Sequence, residues 1–97
     1  MTYTIRWKDC HKSDAVASHL EMKISKFEDF NFVQPNVKAE IAYFPKNQSY
    51  TTKLNVQVVR KGTLRGEANA HDVLTSINNA ADKIIDQLRR VKTQFGK

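Results

Sequence analysis

Over the first seven positions Tyr3, Ile5 and Trp7 stand against Thr2, Thr4 and Arg6. That period of two predicts a half-buried strand over 1–7. The spacing then lengthens. Val16, Leu20, Ile24 and Phe27 recur at helical intervals, and Ser13 or Asp14 can cap the free amides of a first turn, so a helix is predicted as far as Asp29 or Phe30. Gln34-Pro35-Asn36 breaks the chain before a second strand at 37–44, where Val37, Ala39, Ile41 and Tyr43 alternate with Lys38 and Glu40. A turn at 45–49 leads into a third strand near 50–60, with Leu54, Val56 and Val58 on one face and Lys53, Asn55 and Gln57 on the other. Lys61-Gly62 reverses the chain into a fourth strand at 63–70. Residues 71–97 then form one long amphipathic helix, entered between Asn69 and Asp72. Its apolar arc holds Val73, Leu74, Ile77, Ala81, Ile84, Ile85, Leu88 and Val91.

The predicted order is β-α-β-β-β-α. Each helix and each strand has one apolar face, and the simplest way to bury them all is an α+β, two-layer fold. Both helices then pack on one face of a four-stranded mixed sheet. The first crossover makes strands one and two parallel, and the later hairpins are antiparallel. Ninety-seven residues give a single domain, 1–97, with no repeat, linker or low-complexity tract. A hydrophobic content of 40% suits a folded globule, and no apolar run approaches the ~20 residues that span a bilayer. Cys10 is the only cysteine, so no internal disulfide can form, and a reducing cytoplasm is the expected compartment.

Charge sharpens this picture. The net charge is +6 and the pI near 9.6, which favours anionic partners, nucleic acid first. In the last helix Lys83, Arg90 and Lys97 recur every seven residues along one flank of the apolar arc, interleaved with Gln87 and Gln94. The stretch 89–97 holds Arg89, Arg90, Lys92 and Lys97 and no acid. On the first helix His19, Lys23 and Lys26 cluster beside the apolar arc, away from Glu21, Glu28 and Asp29. If the helices lie side by side, the two basic flanks merge into one strip for phosphates, where lysine acts as a point charge and Arg90 can fork. Arg60, Lys61 and Arg65 at the last hairpin, and Lys38 and Lys53 on the outer sheet face, read as solvation. Phe27, Phe30, Phe32, Tyr43, Phe44 and Tyr50 are scattered and build no base-stacking platform, so recognition should follow RNA shape and phosphate position.

Catalysis finds no support in the pattern. His11, His19 and His71 sit in separate contexts, and Cys10-His11 has no further ligand at zinc-site spacing. Three glycines leave no phosphate-cradling loop. His71-Asp72 reads as a helix entry rather than part of a triad. The expectation is a non-enzyme with no cofactor and no metal.

Several strings resemble the ribosome hibernation promoting factor family, which includes the short ribosome-associated inhibitor proteins. Lys26-Phe27-Glu28 closes the first helix as that family's Lys-Leu-Glu does. Pro35 falls where the family places a proline, and Asp72, Ser76-Ile77, Asp82-Lys83 and Gln87-Leu88 resemble its last helix. The resemblance implies a double-stranded-RNA-binding-like fold that docks on the small ribosomal subunit. Family members occupy the decoding channel, where they exclude tRNA and mRNA and silence idle ribosomes. By position, Lys23, Lys26, Lys83 and Arg90 match family basic residues facing ribosomal RNA. With His19, Lys92 and Lys97 added from the charge pattern, these are the candidate rRNA-binding residues. The chain departs from the family at Asp86, Ala17 and Leu74, where arginine, a basic residue and tyrosine are frequent, and Asp86 can pair with Arg90. The long members' linker and dimerising domain are not in the sequence, so the implied protein is a short form, or the N-terminal domain of a long form, monomeric when free, with no membrane or small-molecule partner. A double-stranded-RNA-binding module acting off the ribosome, and a plain protein-interaction domain, remain the alternatives.

Overall fold

The structure, a computed structural model, describes residues 2–95. Strand β1 (Thr2–Lys8) lies parallel to β2 (Val33–Phe44); β3 (Ser49–Val58) and β4 (Gly62–Ala70) follow antiparallel, in the spatial order β1-β2-β3-β4. Helix α1 (Asp14–Ser25), prolonged by a 3-10 turn at Lys26–Asp29, makes the crossover between the parallel strands. Helix α2 (Val73–Phe95) returns after β4. This is the predicted order, with both helices over one face of a mixed sheet.

The strand alternation decides which face is covered. Ile5, Ala39, Leu54 and Gly66 form one cross-strand row beneath the helices, and Trp7, Ile41, Thr52 and Ala68 form the next. Against them α1 buries Leu20 and Ile24, the 3-10 turn buries Phe27, and α2 buries Ile77, Ala80, Ala81, Ile84, Leu88 and Val91. Each fully buried large side chain of this kind contributes about 1.5–3 kcal/mol. Both helices start on side-chain caps. Ser13 Oγ accepts from the Val16 amide at 3.3 Å, and Asp72 Oδ2 accepts from the Thr75 amide at 2.9 Å.

Three expectations need correction. β2 begins at Val33, so Pro35 lies inside the strand rather than before it. The pairing with β3 jumps from Val33↔Val58 to Val37↔Val56, and the proline sits within this irregularity, where its missing N–H removes no regular ladder bond. β3 stops at Val58 instead of reaching Arg60. The Val59 amide turns back to the Phe32 carbonyl, and Arg60 takes a left-handed φ of 66° that no strand accommodates. On α2 the buried arc is rotated relative to the large apolar residues. Ser76 and Ala80 are inside, Leu74 is 39% exposed, and Val73 and Ile85 are only half-buried. The helix presents its small residues to β3 and β4, and the buried Ser76 hydroxyl is satisfied by Thr52 Oγ1 at 2.8 Å.

Candidate nucleic-acid interface

Two contacts set the orientation of α1. Glu21 reaches the Tyr3 hydroxyl on β1, and this carboxylate together with burial of the ring raises the tyrosine's pKa, desolvation contributing most. On the opposite flank His19 Nε2 lies 2.7 Å from Asn78 Oδ1 of α2. Lys23 and Lys26 fall within about 40° of His19 at 3.6 residues per turn. The basic flank of α1 therefore faces α2, and its acidic flank faces the β1 edge. Lys23 is half-buried and Lys26 exposed.

Helix α2 has two polar flanks, one at each margin of its buried arc. Asn78, Asp82, Ile85, Arg89 and Lys92 lie within about 40° of one another's mean direction on the flank that meets α1. Lys83 and Arg90 lie roughly 120–140° round from Asn78 across the exposed face of Asn79 and Asp86, at the other margin of the buried arc. There Lys83 Nζ donates to the Glu67 carbonyl at 2.6 Å, and Gln87 Nε2 donates to the Arg65 carbonyl at 2.8 Å, so this flank runs along β4. Arg90 is held by Asp86 at 2.9 Å, the i,i+4 pair that the sequence allowed. The expected single strip joining Lys23 and Lys26 to Lys83 and Arg90 does not form. The cause is the placement of α2, which turns the heptad flank of Lys83 toward the β4 edge and a different set toward α1. The structure brings His19, Lys23, Lys26 and Lys92 to one seam and leaves Lys83 and Arg90 on a separate flank; Lys97 lies outside the described residues. Arg89 joins the seam, although the sequence shows it only as one member of a basic run. The signal that finds it is its distance of eleven residues from Asn78, three helical turns along the same flank. Among the described residues Lys23, Lys26, Arg89 and Lys92 make no ion pair.

Comparison with known proteins gives this geometry a context. The family model described as Sigma 54 modulation protein / S30EA ribosomal protein matches residues 3–95. The chain belongs to this family. It is also similar to the ribosome hibernation promotion factor of Bacillus subtilis (strain 168), with 27% identity over 100 residues. That alignment takes in 100% of this chain and 51% of the relative, so the chain spans about half the relative's length. Among solved structures, the protein Y N-terminal domain of Thermus thermophilus superposes with a TM-score of 0.79 at 18% identity, covering 90% of this chain and 93% of that one. A ribosomal subunit interface protein from Coxiella burnetii gives 0.84 at 16% identity, covering 96% of this chain and 99% of that one. At such identities these two show the fold alone.

The S30EA family is one of ribosome-associated factors rather than of enzymes. In this member of it Cys10 and His71 are tied into the fold. Burial is the main cause that pushes the Cys10 thiol above its usual range, and its Sγ donates to the Ile41 carbonyl at 3.3 Å. A protonated, hydrogen-bonded thiol is a poor nucleophile. His71 Nδ1 meets the Gln48 carbonyl at 3.1 Å beside the α2 cap. On the uncovered sheet face Arg6, Glu40, Lys53 and Glu67 form one cross-strand row of alternating sign, with spacings of 3.8, 3.9 and 3.5 Å. Among the described residues no group of three or more His, Cys, Asp or Glu is gathered to hold a metal ion. No described helix is long and apolar enough to cross a membrane.

Proposed function

We propose that this S30EA-family chain is a ribosome hibernation factor. It binds the small ribosomal subunit at the decoding channel through rRNA phosphates, excludes tRNA and mRNA by occupying their space, and so inhibits translation in idle cells. It works without catalysis or cofactor, as a monomer in the cytoplasm. Family membership supports the ribosomal partner. The observation that carries the reading to RNA is on the helices: Lys23, Lys26 and Lys92 make no ion pair there among the described residues, whereas Arg6 and Lys53 on the sheet's outer face are paired with Glu40 and Glu67. Cations on one layer neutralise phosphates and release their counterions, so affinity falls as salt rises.

The test is sedimentation of the chain with purified ribosomal subunits at moderate salt, with and without tRNA. Co-migration with the small subunit that tRNA displaces is the expected result. Absence from the small-subunit fraction defeats the proposal. Equal affinity for an isolated RNA duplex in a gel shift favours a module acting off the ribosome instead.

A further inference from the structure

The two edges of the sheet are finished differently. β4 lies beneath α2, whose Lys83 and Gln87 donate to the Glu67 and Arg65 carbonyls. β1 has no such cover. It pairs with β2 in an unbroken register from Thr2↔Asn36 to Lys8↔Ala42, and its other side carries the amides and carbonyls that β2 does not use. Among the described residues no side chain bonds the backbone of residues 3–7. The strand holds no proline, bulge or inward-pointing charge, which are common means of blunting an edge.

A groove of about 450 Å³ runs beside this open edge, between β1 and α1. Its floor is Tyr3, Ile5 and Trp7, all half-buried, and its wall is Asp14 and Ala17, with Lys12 at the Trp7 end. Glu21 closes the Tyr3 end, where it meets the tyrosine hydroxyl. The small side chain of Ala17 keeps the groove open. The opposite face of the same strand is cationic. Arg6 is 77% exposed and reaches Glu40 only at 3.8 Å, and Lys8 has no acidic partner among the described residues.

We propose that β1 is a docking edge for an extended segment of another protein, added as a further strand, in which apolar residues alternate with acidic ones. Main-chain hydrogen bonds hold such a segment, its apolar side chains enter the groove over Ile5 and Trp7, and its acids meet Arg6 and Lys8 on the other face. Charge rules against a second copy of β1 as the occupant. Antiparallel self-pairing about Ile5 would set Tyr3 against Trp7, but it brings the two Arg6 side chains together diagonally on one face. The edge lies across α1 from the basic seam, so strand addition stands or falls apart from the ribosomal reading.

Trp7 is the only tryptophan in the chain and reports the groove directly. The probe is a synthetic peptide of alternating valine and glutamate with blocked ends, titrated into the full chain. A saturating blue shift of Trp7 emission is expected, together with slowed hydrogen exchange at β1 amides. The valine–lysine counterpart should bind about tenfold more weakly or worse, and Arg6→Gln/Lys8→Gln should weaken the glutamate peptide by roughly three- to tenfold. Lys46→Gln/Lys61→Gln, at exposed hairpin tips, should stay within about twofold of the parent. Circular dichroism establishes that both variants are folded. Two further peptides carry N-methyl groups on the valines or on the glutamates. Strand pairing requires one to lose binding and the other to keep it, since alternate amides point to opposite edges. No blue shift with the glutamate peptide, equal binding of the lysine peptide, or equal behaviour of the two methylated peptides overturns the proposal. So does a blue shift that grows with chain concentration alone, which would make a second copy the occupant.

Discussion

At Gly66 the sheet and α2 approach too closely for any side chain. A Cβ there would lie 2.7 Å from the Ala80 carbonyl and 2.9 Å from Ile84 Cγ1. The first is backbone, so relief requires α2 to move rather than a rotamer to change. Overpacking of this kind costs about 1–3 kcal/mol. Gly66→Ala should therefore lower the melting temperature by roughly 5–20 °C for a domain of this size. Calorimetry checks it, and an unchanged melting temperature would mean that α2 rides higher on the sheet than described. The same closeness explains why Ser76 and Ala80 face inward. Small residues let the helix settle onto β3 and β4, and the Ser76 hydroxyl pairs with Thr52. Periodicity could not announce this. A hydrophobic-pattern reading weights Leu74 and Ile85 above Ser76 and Ala80, because it scores how apolar a residue is and not how near a neighbouring backbone comes.

Among the elements, β4 has a neighbour on one side only, and an edge strand presents unpaired backbone groups to any other chain. Lys83 and Gln87 meet this hazard by donating to the Glu67 and Arg65 carbonyls, two residues apart on the same side of the strand. A positive charge held at a strand edge also repels a second copy. Lys83→Met/Gln87→Met should leave the helix formed and promote self-association that grows with concentration in sedimentation velocity. A variant that stays monomeric at millimolar concentration would show that the edge is blunted by other means. Element order and pairing were legible because alternation, caps and turn residues each act over a few neighbours. Ser13, one of the two caps the sequence offered, starts the first helix, and Asp72, at the end of the stretch expected for the entry, caps the second. What was not legible was the rotation of α2, since the heptad of Lys83, Arg90 and Lys97 looks equally suited to either side of the buried arc. Only the position of β4 beneath the helix decides which flank meets α1. The candidate site was thus readable as a set of cations on the helices, but not as a surface.

At the scale of the whole molecule, the question is whether a net charge of +6 attracts RNA indiscriminately or whether the arrangement of charge decides. The two layers differ in a way that separates these ideas. On the open sheet face Glu40 sits between Arg6 and Lys53, and Glu67 lies beside Lys53, so the positive charge of that one row is locally compensated. On the helical layer the seam cations are uncompensated among the described residues. Replacing both sheet acids, Glu40→Gln/Glu67→Gln, raises the net charge to +8, which is +6 plus the two negative charges removed. The lost pairs are partly exposed and contribute at most about 1 kcal/mol each, so the fold should hold. If bulk charge governs binding, this variant binds the small subunit more tightly and with a steeper salt dependence. If the seam governs, affinity stays within about twofold, because a Debye length of about 8 Å at physiological salt screens the sheet face from RNA docked on the helices. With four seam contacts, both proteins should then lose roughly 50- to 150-fold in affinity between 50 and 200 mM salt, from a slope of 0.7 to 0.9 per phosphate neutralised. A steeper slope for the sheet variant would remove the helical layer from its privileged place and make this chain a diffuse polycation.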